Sequence, residues 1–304
     1  MTRVGCGQLR SMRTCRGVGA GIVCMLALAG CRPPPPPTPA GYFGPTETIS
    51  EVVRQINANN QRLPTLWASG VFEAWLYDDR QRETFVNGTV TLVHEKPDGL
   101  RIVGNKDLAG MVFEIGSNAQ QYWLVVKGDL DTMWHGRWGG RGQGTQMPID
   151  PSLVLEVLGI SDIPGDFRTE PLPVMRFNND ADAYMFVWHV RLPDRLVATR
   201  EVWFDRQSKL PKLVLLFDAH GRVVLRAYLS NHGPVVLPGR PAPADAPQVA
   251  RRLDLFFPDS GSKLRFDLEE TYFEFNDAPG DASFRFPTPQ RVRVARVIDV
   301  DQTG

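Results

Sequence analysis

Residues 88–101 read Gly88-Thr89-Val90-Thr91-Leu92-Val93-His94-Glu95-Lys96-Pro97-Asp98-Gly99-Leu100-Arg101. The run from Thr89 to Val93 is β-branched and apolar, the composition of a pleated, half-buried strand. Lys96-Pro97-Asp98-Gly99 then breaks it. Proline has no backbone donor, and Asp and Gly suit turn conformations. Apolar residues resume at Leu100 and continue through Ile102 and Val103. The stretch is a strand, a turn and a second strand.

The same unit recurs along the chain. VFEAWLY (71–77), NGTVTLVHE (87–95), LRIVG (100–104), MVFEIG (111–116), QYWLVVK (121–127) and DTMWHGR (131–137) are short strand-like runs, most of them parted by Gly, Asp, Asn or Pro. A second series follows with AYMFVWHVRL (183–192), TREVWFD (199–205), PKLVLLFD (211–218), RVVLRAYL (222–229), RRLDLFF (251–257), KLRFDL (263–268) and TYFEF (271–275). That is near a dozen strands. The 25 prolines and 28 glycines fit an all-β protein rich in turns. Gly233–Gln248 is proline-rich and reads as a loop inside one domain, since strands of the same kind follow it. YWLVV and LVLLF carry apolar groups on both faces, so the second face needs a cover or a ligand; a two-layer core is the simpler reading.

Two helices punctuate the strands. Thr48-Ile49-Ser50-Glu51 has capping-box spacing, with Thr48 as cap and Glu51 reaching back. Ile49, Val52, Val53 and Ile56 then form an apolar stripe at helical spacing, and Pro64 ends it. Asp150-Pro151 signals a second start, with Leu153, Val154, Val157 and Leu158 as its apolar face and Gly159 as the stop.

The N-terminus carries different information. Arg3, Arg10, Arg13 and Arg16 precede GVGAGIVCMLALAG (17–30), too short to span a bilayer needing about 20 apolar residues. A basic n-region, an apolar core and small residues make a secretory signal. Leu28-Ala29-Gly30-Cys31 resembles the bacterial lipobox, which implies that Cys31 takes a diacylglycerol, that the signal is cut before it, and that the new N-terminus is acylated. Five prolines follow at 33–37. Such a segment is extended and semi-rigid at ~3.1 Å per residue, holding a domain up to ~30–40 Å from a bilayer. Arg32 stands where an Asp would imply retention at the inner membrane, so the resemblance implies the outer membrane, facing the periplasm. The expected organisation is a signal peptide over 1–30, a lipidated Cys31 with a linker over 31–45, and one domain over 46–304.

Cys6, Cys15 and Cys24 lie in the signal and Cys31 is the lipid site, so the mature chain folds without a disulfide. Removing the four signal arginines from the 34 basic residues leaves 30 against 34 acidic, a net charge of −4. That argues against nucleic acid, which wants a strong basic patch. His94, His135, His189, His220 and His232 show no metal spacing and read as strand or turn residues. Asn178-Asn179-Asp180-Ala181-Asp182 lacks the Gly and terminal Glu of a calcium loop and reads as a turn. The run Gly139–Gly144 lacks the Lys-Ser/Thr of a phosphate cradle, and no Gly-x-Ser-x-Gly elbow is present. Nothing marks an enzyme, a metal site or a cofactor.

The order of these elements resembles the LolA/LolB lipoprotein-carrier fold, a mainly β, antiparallel half-barrel of about eleven strands with a helical plug. Val90 to Arg101, with Lys96-Pro97, resembles the family's basic-Pro stretch. Val202-Trp203-Phe204-Asp205, Leu210-Pro211 and Asp218-Ala219-His220-Gly221 resemble its later hairpin, and Phe284-Arg285-Phe286-Pro287-Thr288-Pro289 its closing motif. The resemblance, running from about 47 to 292, implies that Lys96 holds the helical lid by bonding backbone, in place of the usual Arg. It further implies that Leu100 lines the lipid cavity and that Leu108, in the loop after that strand, is an exposed transfer residue. Trp123 joins the cavity candidates. The expected partners are membrane lipid through Cys31, acyl chains of lipoproteins or other lipids in the half-barrel, and, on the alternative reading as an envelope-stress or assembly module, an envelope protein. If Cys31 is the lipid site, Cys31→Ser yields a protein that is uncleaved or differently cleaved and unanchored, yet folded. Palmitate labelling and membrane fractionation check this, and a variant that is cleaved and stays membrane-bound counts against it.

Overall fold

The computed structural model describes residues 44–77, 83–128, 130–138, 151–166, 171–236, 241–272 and 283–302. The signal, Cys31, most of the linker, the glycine-rich run 139–144 and Asp150 lie outside the described residues.

Helix α1 (Ile49–Asn60) opens the domain. Six strands follow in a meander: β1 (Thr65–Tyr77), β2 (Glu83–Glu95), β3 (Gly99–Lys106), β4 (Gly110–Ser117), β5 (Gln121–Val126) and β6 (Thr132–Arg137). After α2 (Pro151–Val157) come β7 (Pro173–Asn178), β8 (Ala183–Arg191), β9 (Leu196–Asp205), β10 (Pro211–Phe217), β11 (Val223–Pro234), β12 (Gln248–Phe256) and β13 (Lys263–Tyr272). A short helix α3 (Pro289–Val292) and strand β14 (Arg296–Asp299) close the described chain. The fourteen strands of the described residues form one open sheet, ordered β14-β6-β5-β4-β3-β2-β1-β13-β12-β11-β10-β9-β8-β7. Neighbours pair antiparallel except β14, which runs parallel to β6.

The fourteen strands correct the expected eleven or so. KLRFDL and TYFEF are not separate: Glu269 and Glu270 carry the strand through, and Trp67 pairs with Tyr272 at its end. Strands β7 and β14 were not legible. Both are short edge strands, where one row of partners and half-exposed side chains leave little pattern to read. The helix start differs too. The Thr48 hydroxyl accepts the Glu51 N–H at 3.4 Å, but the Glu51 carboxylate turns to Arg54 and Gln55 instead of reaching back.

Antiparallel pairing sorts the turns between two ends of the sheet. The β2–β3, β4–β5, β7–β8 and β9–β10 turns share one end with α1, here the helix end. The β3–β4, β5–β6, β8–β9, β10–β11 and β12–β13 turns lie at the other, here the turn end.

The main core lies between the sheet and the helices. Val52, Val53 and Ile56 of α1 and Val154 and Val157 of α2 pack in one cluster with Phe72, Leu92, Leu100, Ile102, Phe186, Val214 and Phe266. A second, smaller cluster joins Trp123, Val125 and Met133 to Val292 of α3, with Phe286 and Val294 against it. Within β5 the alternation divides the faces, Leu124 going to the main core and Trp123 to the smaller cluster. The double-faced run YWLVV is therefore covered by the chain's own C-terminal segment.

Gly116 makes room for that arrangement. A Cβ there would lie 2.2 Å from the Trp123 indole, and the residue pairs directly with Trp123 across β4 and β5. Gly116→Ala is expected to destabilise the fold by about 2 kcal/mol or more through overpacking. The urea midpoint measures it, and an unchanged midpoint would contradict the packing described.

Candidate functional site

The last turn of α1 is built from Asn57-Ala58-Asn59-Asn60, residues that form helix poorly because their side chains compete for backbone bonds. Here each Asn connects the helix to a neighbour. The Asn57 amide donates to the Ile163 carbonyl at 2.8 Å and accepts the Ile163 N–H at 2.9 Å. Asn60 donates to the Ser161 carbonyl at 2.9 Å. Asn59 donates to the Gln248 carbonyl at 3.0 Å and accepts the Gln248 N–H at 2.7 Å, which ties the helix to the start of β12.

Lys96 completes the clasp. Its backbone N–H donates to the Pro64 carbonyl at 2.9 Å. Its ammonium donates to the Asn60 carbonyl at 2.8 Å and pairs with Asp162 at 2.8 Å, with only 19% of the side chain exposed. A cation at the carbonyl end of a helix interacts favourably with its dipole. The ammonium thus bonds helix backbone and, through Asp162, the segment that follows α2. Asn57, Asn59, Asn60 and Asp162 were not read from the sequence as site residues; the asparagine-rich turn was the available signal.

The other end of α1 is also held. The Glu47 N–H donates to the Tyr184 hydroxyl at 2.8 Å, and the Glu47 carboxylate pairs with Lys209 at 2.7 Å. That hydrogen bond from Lys209 is the leading cause holding the Glu47 carboxyl below its ordinary pKa. Helix α2 is tied to the sheet by the Glu156–Arg200 ion pair, with the Arg200 guanidinium 3.9 Å above the Trp188 ring.

Beside the clasp lies an open cleft of about 540 Å³. The β2–β3 turn (95–99), the β4–β5 turn (118–121) and Phe284–Phe286 line it. Asn118 fixes two of these walls, donating to the Phe284 carbonyl at 3.1 Å while its side-chain oxygen accepts the Gln121 N–H at 3.1 Å.

The structure places the remaining sequence candidates apart. Leu100 is fully buried in the main core, in the cluster that α1 caps. Trp123 is fully buried in the smaller cluster, where its ring meets Phe286 edge-on at 5.7 Å and its indole N–H donates to Glu114 at 3.2 Å. It therefore does not line the space beneath α1. Leu108 sits in the β3–β4 turn and is fully exposed, at the end of the sheet away from the clasp. The Asn178–Asp182 segment is the β7–β8 turn, with the Asp182 carboxylate taken by Arg206 at 2.6 Å. Among the described residues no group of three His, Cys, Asp or Glu side chains is placed to hold a metal ion.

No family model matches the chain, and no curated protein matches it. Solved structures do. A DUF1329 family protein from Desulfovibrio piger aligns at 11% identity and a TM-score of 0.50, over 79% of this chain and 98% of that one. A LolA superfamily protein from Nitrosomonas europaea aligns at 10% identity and 0.45, over 79% and 99%. A Vibrio parahaemolyticus domain, provisionally named for outer membrane lipoprotein sorting, aligns at 13% identity and 0.45, over 78% and 98%. The likeness is one of fold alone: a mainly β, open sheet.

His94 lies next to this machinery and is 2% exposed. Its Nδ1–H donates to the Gly99 carbonyl at 2.7 Å, across the turn that carries Lys96. Burial pushes its pKa down from 6.5 to about 4. Above pH 6.5 the group is neutral in folded and unfolded chains alike. As pH falls through 6.5 the unfolded chain binds the proton and the folded chain does not, so stability falls until about pH 4. Between pH 7 and 5 this contributes a loss of about 2 kcal/mol. His94→Gln is expected to lose that component. Urea unfolding of both proteins at the two pH values measures it, and equal pH dependence would refute the assignment.

Proposed function

We propose that the protein is a lipid-anchored lipoprotein of the bacterial envelope, held through Cys31 at the outer membrane, that binds acyl chains of lipoproteins or other lipids inside the open sheet. One observation carries the reading. The apolar stripe of α1 packs in the core on one face of the sheet, and α1 is held at both ends by polar side-chain contacts. A plug of this kind is exchangeable for an apolar ligand.

The magnitudes favour exchange. Val52, Val53 and Ile56 contribute roughly 5–9 kcal/mol at about 1.5–3 kcal/mol per buried side chain. A chain of roughly sixteen carbons contributes about 12 kcal/mol at about 0.8 kcal/mol per CH₂. The clasp bonds add about 0.5–1.5 kcal/mol each to the closed state. Lys96 is then the group that sets the population open to ligand, Leu100 lies on the surface uncovered beneath α1, and Leu108 is the exposed apolar residue that meets the donor or acceptor membrane. Trp123 has no place in that cavity.

Under this reading Lys96→Ala lowers stability by about 1–2 kcal/mol and raises apparent affinity for a fluorescent fatty acid by roughly three- to tenfold, because less free energy is spent on opening. Displacement of cis-parinaric acid by palmitate measures it. No binding by either protein would sink the reading, and stoichiometric co-purification of an envelope protein without lipid would favour the assembly or stress-sensing alternative.

A further inference from the structure

The C-terminal segment Arg291-Val292-Arg293-Val294-Ala295-Arg296 alternates charge with apolar groups. It crosses the outer face of the sheet and turns back as β14. The alternation is used structurally: Val292 and Val294 pack on Trp123 and Met133. Arg291, Arg293 and Arg296 are consequently exposed.

The β5–β6 turn grips this segment. The Lys127 ammonium pairs with Asp131 at 2.8 Å and donates to the Val292 carbonyl at 3.0 Å and to the Arg293 carbonyl. The backbone carbonyl of Asp131 accepts the N–H groups of Ala295 and Arg296. The grip brings the arginines to Leu130, which is 48% exposed in that turn, and to Val297, 45% exposed in β14. The adjacent β3–β4 turn, at the same end of the sheet, presents Leu108 at its apex and the exposed Lys106 beside it.

Apolar apexes and guanidinium groups thus share one end of the domain. The Asp131 carboxylate is already taken by Lys127 and the Ala295 N–H, which leaves Asp107 as the other acid of these two turns among the described residues, with Asp129 the further acid in the sequence of the β5–β6 turn. We propose that this end is a docking face for an anionic phospholipid bilayer. Leu108 and Leu130 enter the interface, and the three arginines engage lipid phosphates. The side chains stand on protruding turns, a shape that suits a soft planar surface. Guanidinium groups match phosphate oxygens in bidentate geometry. Basic residues near such a surface contribute about 1 kcal/mol each, and apolar side chains anchor by burial. The proposal extends the reading of Leu108 above. It adds the C-terminal arginines and Leu130 as the part that selects anionic lipid.

The test uses the protein extracted from membranes and reconstituted in vesicles. Leu130→Cys carries an environment-sensitive dye, read against unsubstituted protein taken through the same labelling, and the vesicles contain a shallow spin-labelled lipid. One set is phosphatidylethanolamine with phosphatidylglycerol, the other phosphatidylcholine. The expected result is quenching at position 130 in anionic vesicles, with at least ~3-fold less in phosphatidylcholine, in high salt, or when Arg291, Arg293 and Arg296 are all changed to Gln. A dye at Tyr228→Cys, half-exposed on the middle of the sheet, stays unquenched throughout. No quenching at 130 in anionic vesicles, or quenching indifferent to the arginines, overturns the proposal. Protein that does not incorporate refutes the lipid anchor instead. The same chain then mixed with anionic vesicles is expected to float with them, and failure to float overturns the docking face. Acyl binding is read separately by palmitate displacement.

Discussion

One constraint organises this molecule: an open sheet with an apolar face has to be covered. Closure into a barrel would remove the edges and enclose the face. This sheet does not close, leaving β14 and β7 at its edges. Helix α1 supplies the cover with Val52, Val53 and Ile56, and α2 extends it with Val154 and Val157. The position of Lys96, the asparagine turn and the Glu47–Lys209 pair all follow from the need to keep that cover seated.

The outer face is divided by a different rule. Toward β5 and β6 it carries Trp123, Val125 and Met133, which water cannot be left to solvate, and the C-terminal segment lies across them. Toward β1, β12 and β13 it carries an ionic ladder instead. Arg265 pairs with Asp254 at 2.6 Å and Glu73 at 3.2 Å, and Arg252 reaches Asp254 at 3.0 Å. That part needs no cover. The two kinds of surface on one sheet explain why the chain continues past β13 to reach β6 at the far edge, where β14 adds on in parallel.

A plug held by polar contacts is easier to exchange than one held by packing alone. Apolar surface lost by the helix is regained on the ligand, while each polar group released can turn to water. In the proposed function Lys96 has that role. It is partly exposed and bonds a helix carbonyl and a half-exposed Asp162, so opening leaves no charge stranded in an apolar interior. Leu100, at the start of the strand that follows this turn, is fully buried in the main core.

The strand content, helices α1 and α2 and the turn at Lys96-Pro97 were legible because alternation, capping residues and chain breakers act over a few neighbouring residues. Lys96 and Leu108 were singled out only by the resemblance in motif order, not by any local pattern. The sequence by itself did not separate the two faces of YWLVV, because Leu124 and Trp123 are equally apolar and only their surroundings differ: the main core, where α2 meets β5, for one, and α3 with Phe286 for the other. Nor did it locate β14, whose four residues form a strand only because β6, more than a hundred and fifty positions earlier, offers an edge. Local chemistry decided which residues extend and which turn. The tertiary structure alone decided which of two apolar faces joined the main core, because that depends on which distant segment arrives to cover the other.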